Sequence, residues 1–129
     1  MDDAKGGTVF AWPDRVSVEA VPVKAGNLGK VLFEQSTFPN TARALGADLM
    51  HVPYFGSPLS PSLPTIVTVH DIIPVVLPEY RGNMLVRMYT GLVSAAAANA
   101  DLILADSECS RLDILTHLNV SAEKVRTVY

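Results

Sequence analysis

The chain has 129 residues, 49% of them hydrophobic and 18% charged, a length suited to one domain and a composition too apolar for a disordered segment. With 10 Lys plus Arg against 13 Asp plus Glu it carries a formal charge of −3 and no basic run, which argues against nucleic acid as the main partner because phosphate binding needs clustered cations. Its 1 Cys excludes an intramolecular disulfide and a multi-cysteine zinc site, and fits a reducing, cytoplasmic setting.

The start, Met1-Asp2-Asp3, is acidic where a signal peptide would be basic. Arg15 to Val23 alternates through Val16, Val18, Val21 and Val23, which predicts a half-buried strand with a slip at Ala20. Leu28 to Gly46 has helical spacing in Leu28, Val31, Leu32 and Gln35, and Pro39 predicts two helical pieces with a kink or break around Phe38. Leu49 to Val52 reads as a short strand. Tyr54 to Pro64, with Gly56, Pro58, Pro61 and Pro64 among serines, reads as loop. The β-branched run Thr65 to Val69 predicts a central, fully buried strand. Asn83 is placed to cap a helix reaching Asn99, whose Met84, Leu85, Met88, Tyr89, Leu92, Val93 and Ala96 form one continuous face. Leu102 to Ala105 reads as another buried strand. Ser107 to Leu118 reads as a helix with Leu112, Leu115 and Leu118 on one side, and Val125 to Tyr129 begins a last strand.

Short apolar runs alternating with helical patterns predict an α/β fold, a Rossmann-like parallel sheet flanked by helices. No run reaches the roughly 18 apolar residues of a membrane span. Thr65 to Pro78 is broken by His70 and Asp71, and Leu92 to Ala105 by Ser94, Asn99 and Asp101.

Ligands of open parallel sheets bind outside the carboxyl ends of the strands. Three strand ends carry polar or flexible groups there: Tyr54-Phe55-Gly56, His70-Asp71 and Asp106-Ser107-Glu108. His70 titrates near neutrality and could donate to a hydroxyl or phosphate, or act as a base; its alternative is a loop-binding structural histidine. Asp71 either joins it or orients the loop. Ser107 is an N-cap with Glu108 in the first turn, and the same helix start can receive an anionic or hydroxyl-rich ligand. Tyr54 and Phe55 can stack on a ligand or anchor the loop.

Other constellations lack their context. His70-Asp71 resembles the metal site of HD phosphohydrolases, but those are helical, and His51 and His117 alone do not complete a ligand set, so no metal is expected. Ser107, His70 and Asp71 have the residue types of a hydrolase triad without a G-x-S-x-G elbow. Neither G-x-G-x-x-G nor a P-loop occurs. Cys109 reads as a small packing residue.

The order of segments is similar to that of the amino-terminal domain of family 4 glycosyltransferases. Glu34-Gln35 with Phe38-Pro39 leads to Ala47-Asp48-Leu49-Met50-His51-Val52-Pro53-Tyr54. Thr68-Val69-His70-Asp71-Ile72-Ile73-Pro74 follows, with Leu77-Pro78-Glu79-Tyr80-Arg81, and then Ala100-Asp101-Leu102-Ile103. Ser107-Glu108-Cys109-Ser110-Arg111-Leu112-Asp113-Ile114 and Val120-Ser121-Ala122-Glu123-Lys124-Val125 complete a likeness over residues 15–129. The resemblance implies a GT-B architecture of two Rossmann-like domains facing across a cleft. The amino-terminal one binds the acceptor and the other binds a nucleotide-diphosphate sugar. It further implies transfer with retention, no required metal and no cofactor beyond that co-substrate. His70 matches the family histidine near the transferred sugar, with Asp71 steadying its loop and Ser107-Glu108 lining the cleft. Nothing before Arg15 resembles the family's opening strand and glycine-rich loop, and Gly6-Gly7 is too isolated to replace it.

The chain is therefore expected to be one partial domain over residues 1–129, with 1–14 as a poorly matched leader and the donor-binding domain absent. The leading expectation is the acceptor-side part of a retaining glycosyltransferase, inactive alone, partnered by a sugar acceptor and the missing donor domain. Its rivals are a non-catalytic α/β interaction module, docking or self-associating through uncovered apolar surface, and a small serine hydrolase using Ser107 and His70. A mean hydropathy of +0.27 favours the interaction module over a free-standing domain. Peripheral membrane contact is allowed by the family, but no basic amphipathic helix supports it.

Overall fold

The computed structural model describes residues 16–129; the acidic start, Gly6-Gly7, the 1–14 leader and Arg15 lie outside them. Four strands, β1 (Met50–Val52), β2 (Thr65–Thr68), β3 (Leu102–Ala105) and β4 (Val125–Thr127), form one sheet in sequence order. Every neighbouring pair is parallel, with Met50 opposite Thr65, Ile66 opposite Leu102 and Ile103 opposite Val125. Consecutive parallel strands require each connection to return to the opposite edge, so all four carboxyl ends share one edge. The strand interiors alternate buried and half-buried residues; Val67 and Ile103 on the two central strands and Val125 on the edge strand β4 are fully buried. This is the α/β, Rossmann-like sheet expected from the alternating pattern.

The first helical stretch is continuous over 27–44 rather than broken in two. It consists of α1 (Asn27–Leu32), a π-helical turn (Phe33–Thr37) and α2 (Phe38–Ala44). Proline has no N–H to give and its ring collides with the carbonyl four residues back. The chain solves this by widening the preceding turn, so that the Phe38 N–H reaches the Phe33 carbonyl five residues earlier, and Pro39 enters α2 buried. The stretch ends in a Schellman arrangement: Gly46, at φ +70, donates to Arg43 O and Ala47 donates to Ala42 O, both at 3.0 Å.

The predicted strand over 15–23 does not form in its described part. Residues 16–24 have no regular structure, and Val16, Val18 and Val23 are exposed. A strand is made by its ladder partner, and alternating valines do not supply one. The segment instead faces β1 and α2 across a largely apolar cleft of about 640 Å³, lined by Val21, Val23, Phe38, Leu45 and Met50 among others.

Two one-turn helices, α3 (Ile73–Val76) and a 3₁₀ turn (Pro78–Tyr80), precede α4 (Met84–Asn99). Asn83 caps α4 as predicted, its Oδ1 accepting from the Val86 N–H at 3.1 Å. The apolar face of α4 is covered only in its second half. Val93, Ala96 and Ala97 are buried, Ala97 in one core cluster with strand residues, whereas Met84 and Leu85 are 67% and Met88 65% exposed. At the other end, Lys124 Nζ donates to the carbonyls of Ala98 and Ala100, closing the helix terminus. α5 (Glu108–His117) packs through Ile114, with Leu118 just beyond it; Leu112, expected on the packed side, is exposed. Among the described residues no helix is long and apolar enough to cross a membrane.

Candidate functional site

Because the strands are parallel, the ends of β1, β2 and β3 converge. His70 follows Val69, whose N–H still pairs with Leu104 O at 2.8 Å, so the imidazole is carried on the extended end of β2. Its Nδ1 lies 3.1 Å from Asp106 Oδ2, just past β3, and its Nε2 lies 3.2 Å from the Pro53 carbonyl, just past β1. Both neighbours are acceptors. A neutral ring would turn a lone pair toward one of them, whereas an imidazolium donates to both. The hydrogen bond to Asp106 first, and the Pro53 carbonyl second, hold the His70 pKa above its ordinary value. The side chain is nevertheless 56% exposed, so the imidazole stands at the sheet edge within reach of solvent.

The main chain around it is fastened as well. Ser110 Oγ donates to His70 O at 2.6 Å, and the Asp71 carboxylate accepts from the Ile73 N–H at 3.0 Å, setting the start of α3. Asp71 thus takes the loop-orienting role. Ser107 caps α5, its Oγ accepting from the Ser110 N–H at 3.1 Å and lying 3.0 Å from Ser110 Oγ. No hydrogen bond joins Ser107 to His70, and both imidazole nitrogens are taken, so the serine–histidine pair of a hydrolase is not assembled. Glu108 accepts from Thr127 Oγ1 and from the Arg111 guanidinium, both at 2.8 Å. Those two donors, Thr127 foremost, hold its carboxyl below the usual range and tie α5 to the end of β4.

In the turn after β1, Tyr54 and Phe55 anchor the loop and Gly56 is buried. Tyr54 and Phe55 are half-buried and pack on the core, and the residue of this turn that meets the imidazole is Pro53. Beneath them lies a second polar cluster. Glu34, on the π turn, is buried, and the Tyr89 hydroxyl of α4 donates to both its oxygens at 3.0 and 3.1 Å. Lys30 Nζ sits 3.8 Å from Glu34 Oε1 and over the rings of Tyr89 and Tyr54, at 4.8 and 5.7 Å from their centroids. Burial raises the Glu34 pKa, and burial beside that carboxylate pushes the Tyr54 hydroxyl up to about 12 and raises Tyr89 also.

Sequence reasoning named Asp106 among the converging residues without giving it a role; its place at the end of the strand adjacent to β2 was the available signal. Glu34 is visible only as part of a family pattern, Gln35 only through that pattern and its helical spacing, and Ser110 carries no signal of its own. Among the described residues no group of three or more His, Cys, Asp or Glu is placed to hold a metal ion.

A family model described as Glycosyltransferase Family 4 matches residues 5–129, beginning ahead of the motif likeness that starts at Arg15. Neither a curated protein nor a solved structure matches the chain. Over nearly its whole length, then, and with the parallel sheet and strand-end histidine on which its motifs fall, the chain belongs to glycosyltransferase family 4.

Proposed function

We propose that this chain forms the acceptor-side domain of a retaining glycosyltransferase, which transfers a sugar from a nucleotide-diphosphate sugar to an acceptor and works together with a donor-binding domain. Without that domain it is inactive. The observation that carries this reading is His70, an exposed imidazole fixed by Asp106 and the Pro53 carbonyl where three parallel strands end. In such a transfer the sugar–phosphate bond breaks, a bond to the acceptor hydroxyl forms on the same face, and the acceptor proton passes to the departing diphosphate. Negative charge grows on that diphosphate, and a preorganised cation at the cleft wall favours it. His70 is suited to supply this charge; with both nitrogens donating to Asp106 and the Pro53 carbonyl, it is poorly suited to act as a base. The reading includes no resident cofactor, since the nucleotide sugar is a co-substrate.

Ser107 and Glu108 shape the helix start beside the cleft, and Asp71 steadies the His70 loop. The test is sugar transfer by a protein that joins this chain to its donor-binding domain, with and without His70→Ala. A loss in kcat on the order of 10²-fold is expected for removing one such stabilising group, and unchanged turnover removes His70 from the mechanism.

A second reading, a non-catalytic interaction module, is favoured by the uncovered start of α4, where Met84, Leu85 and Met88 face solvent. Light scattering after size exclusion separates the two, because a monomer that binds no protein counts against the module.

A further inference from the structure

Resting on the role given to His70 above, we propose that Glu34 is a positioning residue for it: the buried carboxylate, with Gln35 beside it, clamps the turn after β1 so that the Pro53 carbonyl meets the imidazole Nε2.

The chain of contacts is continuous. Gln35 Nε2 donates to Ser57 O at 3.1 Å, and Gln35 Oε1 accepts from the Leu59 N–H at 2.7 Å, so one side chain holds the chain at two points just after the turn. Glu34 holds its other face, its Oε1 and the Tyr54 ring meeting over Gly56. Gly56 sits in the angle between them. A Cβ there would fall 2.6 Å from Glu34 Oε1 and collide with the Tyr54 ring, so the turn approaches the carboxylate as closely as backbone permits. The Gly56 N–H closes the turn onto Tyr54 O at 2.8 Å. Tyr89 fixes the far side of Glu34 from α4, so the clamp is braced by a second element.

The groups facing Glu34 are Lys30, Tyr54 and Tyr89, and those facing His70 are Asp106, Asp71 and the Pro53 carbonyl. The two sets share no member, so a change at Glu34 reaches His70 through the turn and not through a shared charge partner.

The experiment is a ¹⁵N NMR titration of His70 in the full chain, alongside circular dichroism to confirm folding. In Glu34→Ala and in Gly56→Ala, which drives a methyl into the clamp, the His70 midpoint falls toward the ordinary value by on the order of 0.5 pH unit as the Pro53 contact loosens. Glu34→Gln keeps the volume and an acceptor for a tyrosine hydroxyl, and leaves the midpoint in place. An unchanged midpoint in a folded Gly56→Ala or Glu34→Ala overturns the proposal. So does an equal fall in Glu34→Gln, which would mark a field effect of the lost charge. If Glu34→Ala does not fold, Gly56→Ala decides alone. The titration needs no turnover, so it stands or fails separately from the transferase reading, which the His70→Ala assay tests.

Discussion

The exposed His70–Asp106 pair and the buried Glu34–Tyr89 cluster lie near the same sheet edge and illustrate opposite uses of an ionisable group. His70 has its pKa raised by partners that accept from it while water still reaches the ring. Glu34 has its pKa raised mainly by burial, with Tyr89 and Lys30 pulling the other way. The direction is the same and the causes differ. A group whose charged form is favoured by its partners while it stays open to solvent can act on a ligand, whereas a group whose charged form burial opposes is committed to holding the structure around it.

The most severe way to break this contrast is Glu34→Ala. It strands the Tyr89 hydroxyl in a buried space and opens a void, and should lower unfolding free energy by about 2–4 kcal/mol in urea titration. Tyr89→Phe removes only the donor and should cost about 1–3 kcal/mol, because the carboxylate left behind loses a charge-assisted bond.

Stability against pH separates the groups by window. Raised folded pKa values mean that both contributions are fully present below the ordinary values and are lost as pH rises through the raised ones. For Glu34 that decline starts above 4.5, and for His70 above 6.5. Glu34→Gln should remove the lower decline, and Asp106→Asn should move the upper one toward 6.5. Glu108 has the opposite sign: its contribution is present above 4.5 and is lost as pH falls through its lowered value. The measurement is the denaturant midpoint from pH 3 to 9. The smallest effect is expected at Ser57, whose buried hydroxyl has no hydrogen-bond partner among the described residues. Ser57→Ala should change stability by less than about 0.5 kcal/mol, since no bond is lost.

Much of the sheet was legible because its strands are short apolar runs, although Thr65 to Thr68 is buried on one face and half-buried on the other where full burial was expected, and because Asn83 and Ser107 are strong caps placed directly before helical patterns. The valine alternation near residue 20 misled, since pattern describes one face of a strand but not the neighbour that makes it a strand. Pro39 correctly marked a disturbance, yet local sequence does not decide between breaking a helix and widening one turn. The choice of Ile114 over Leu112 depends on how α5 rolls against β3 and β4, a tertiary matter. At the site, His70 was legible from its position after a buried strand. Asp106 was legible as a converging residue, but its pairing with His70, and that of the Pro53 carbonyl, was not, because these groups come from other strands and are set by parallel register. Tyr54 was legible as an aromatic and illegible as an anchor, since Glu34, which it approaches over Gly56, lies on a helical stretch distant in sequence.

The central claim is that His70 serves as a cation at the transfer site, and the pH–rate profile of sugar transfer tests it most directly, in a protein joining this chain to its donor-binding domain. The rate should fall as pH rises through the raised His70 pKa, and Asp106→Asn should bring that fall to lower pH. A profile that stays level through this range, or that Asp106→Asn leaves in place, would contradict the account.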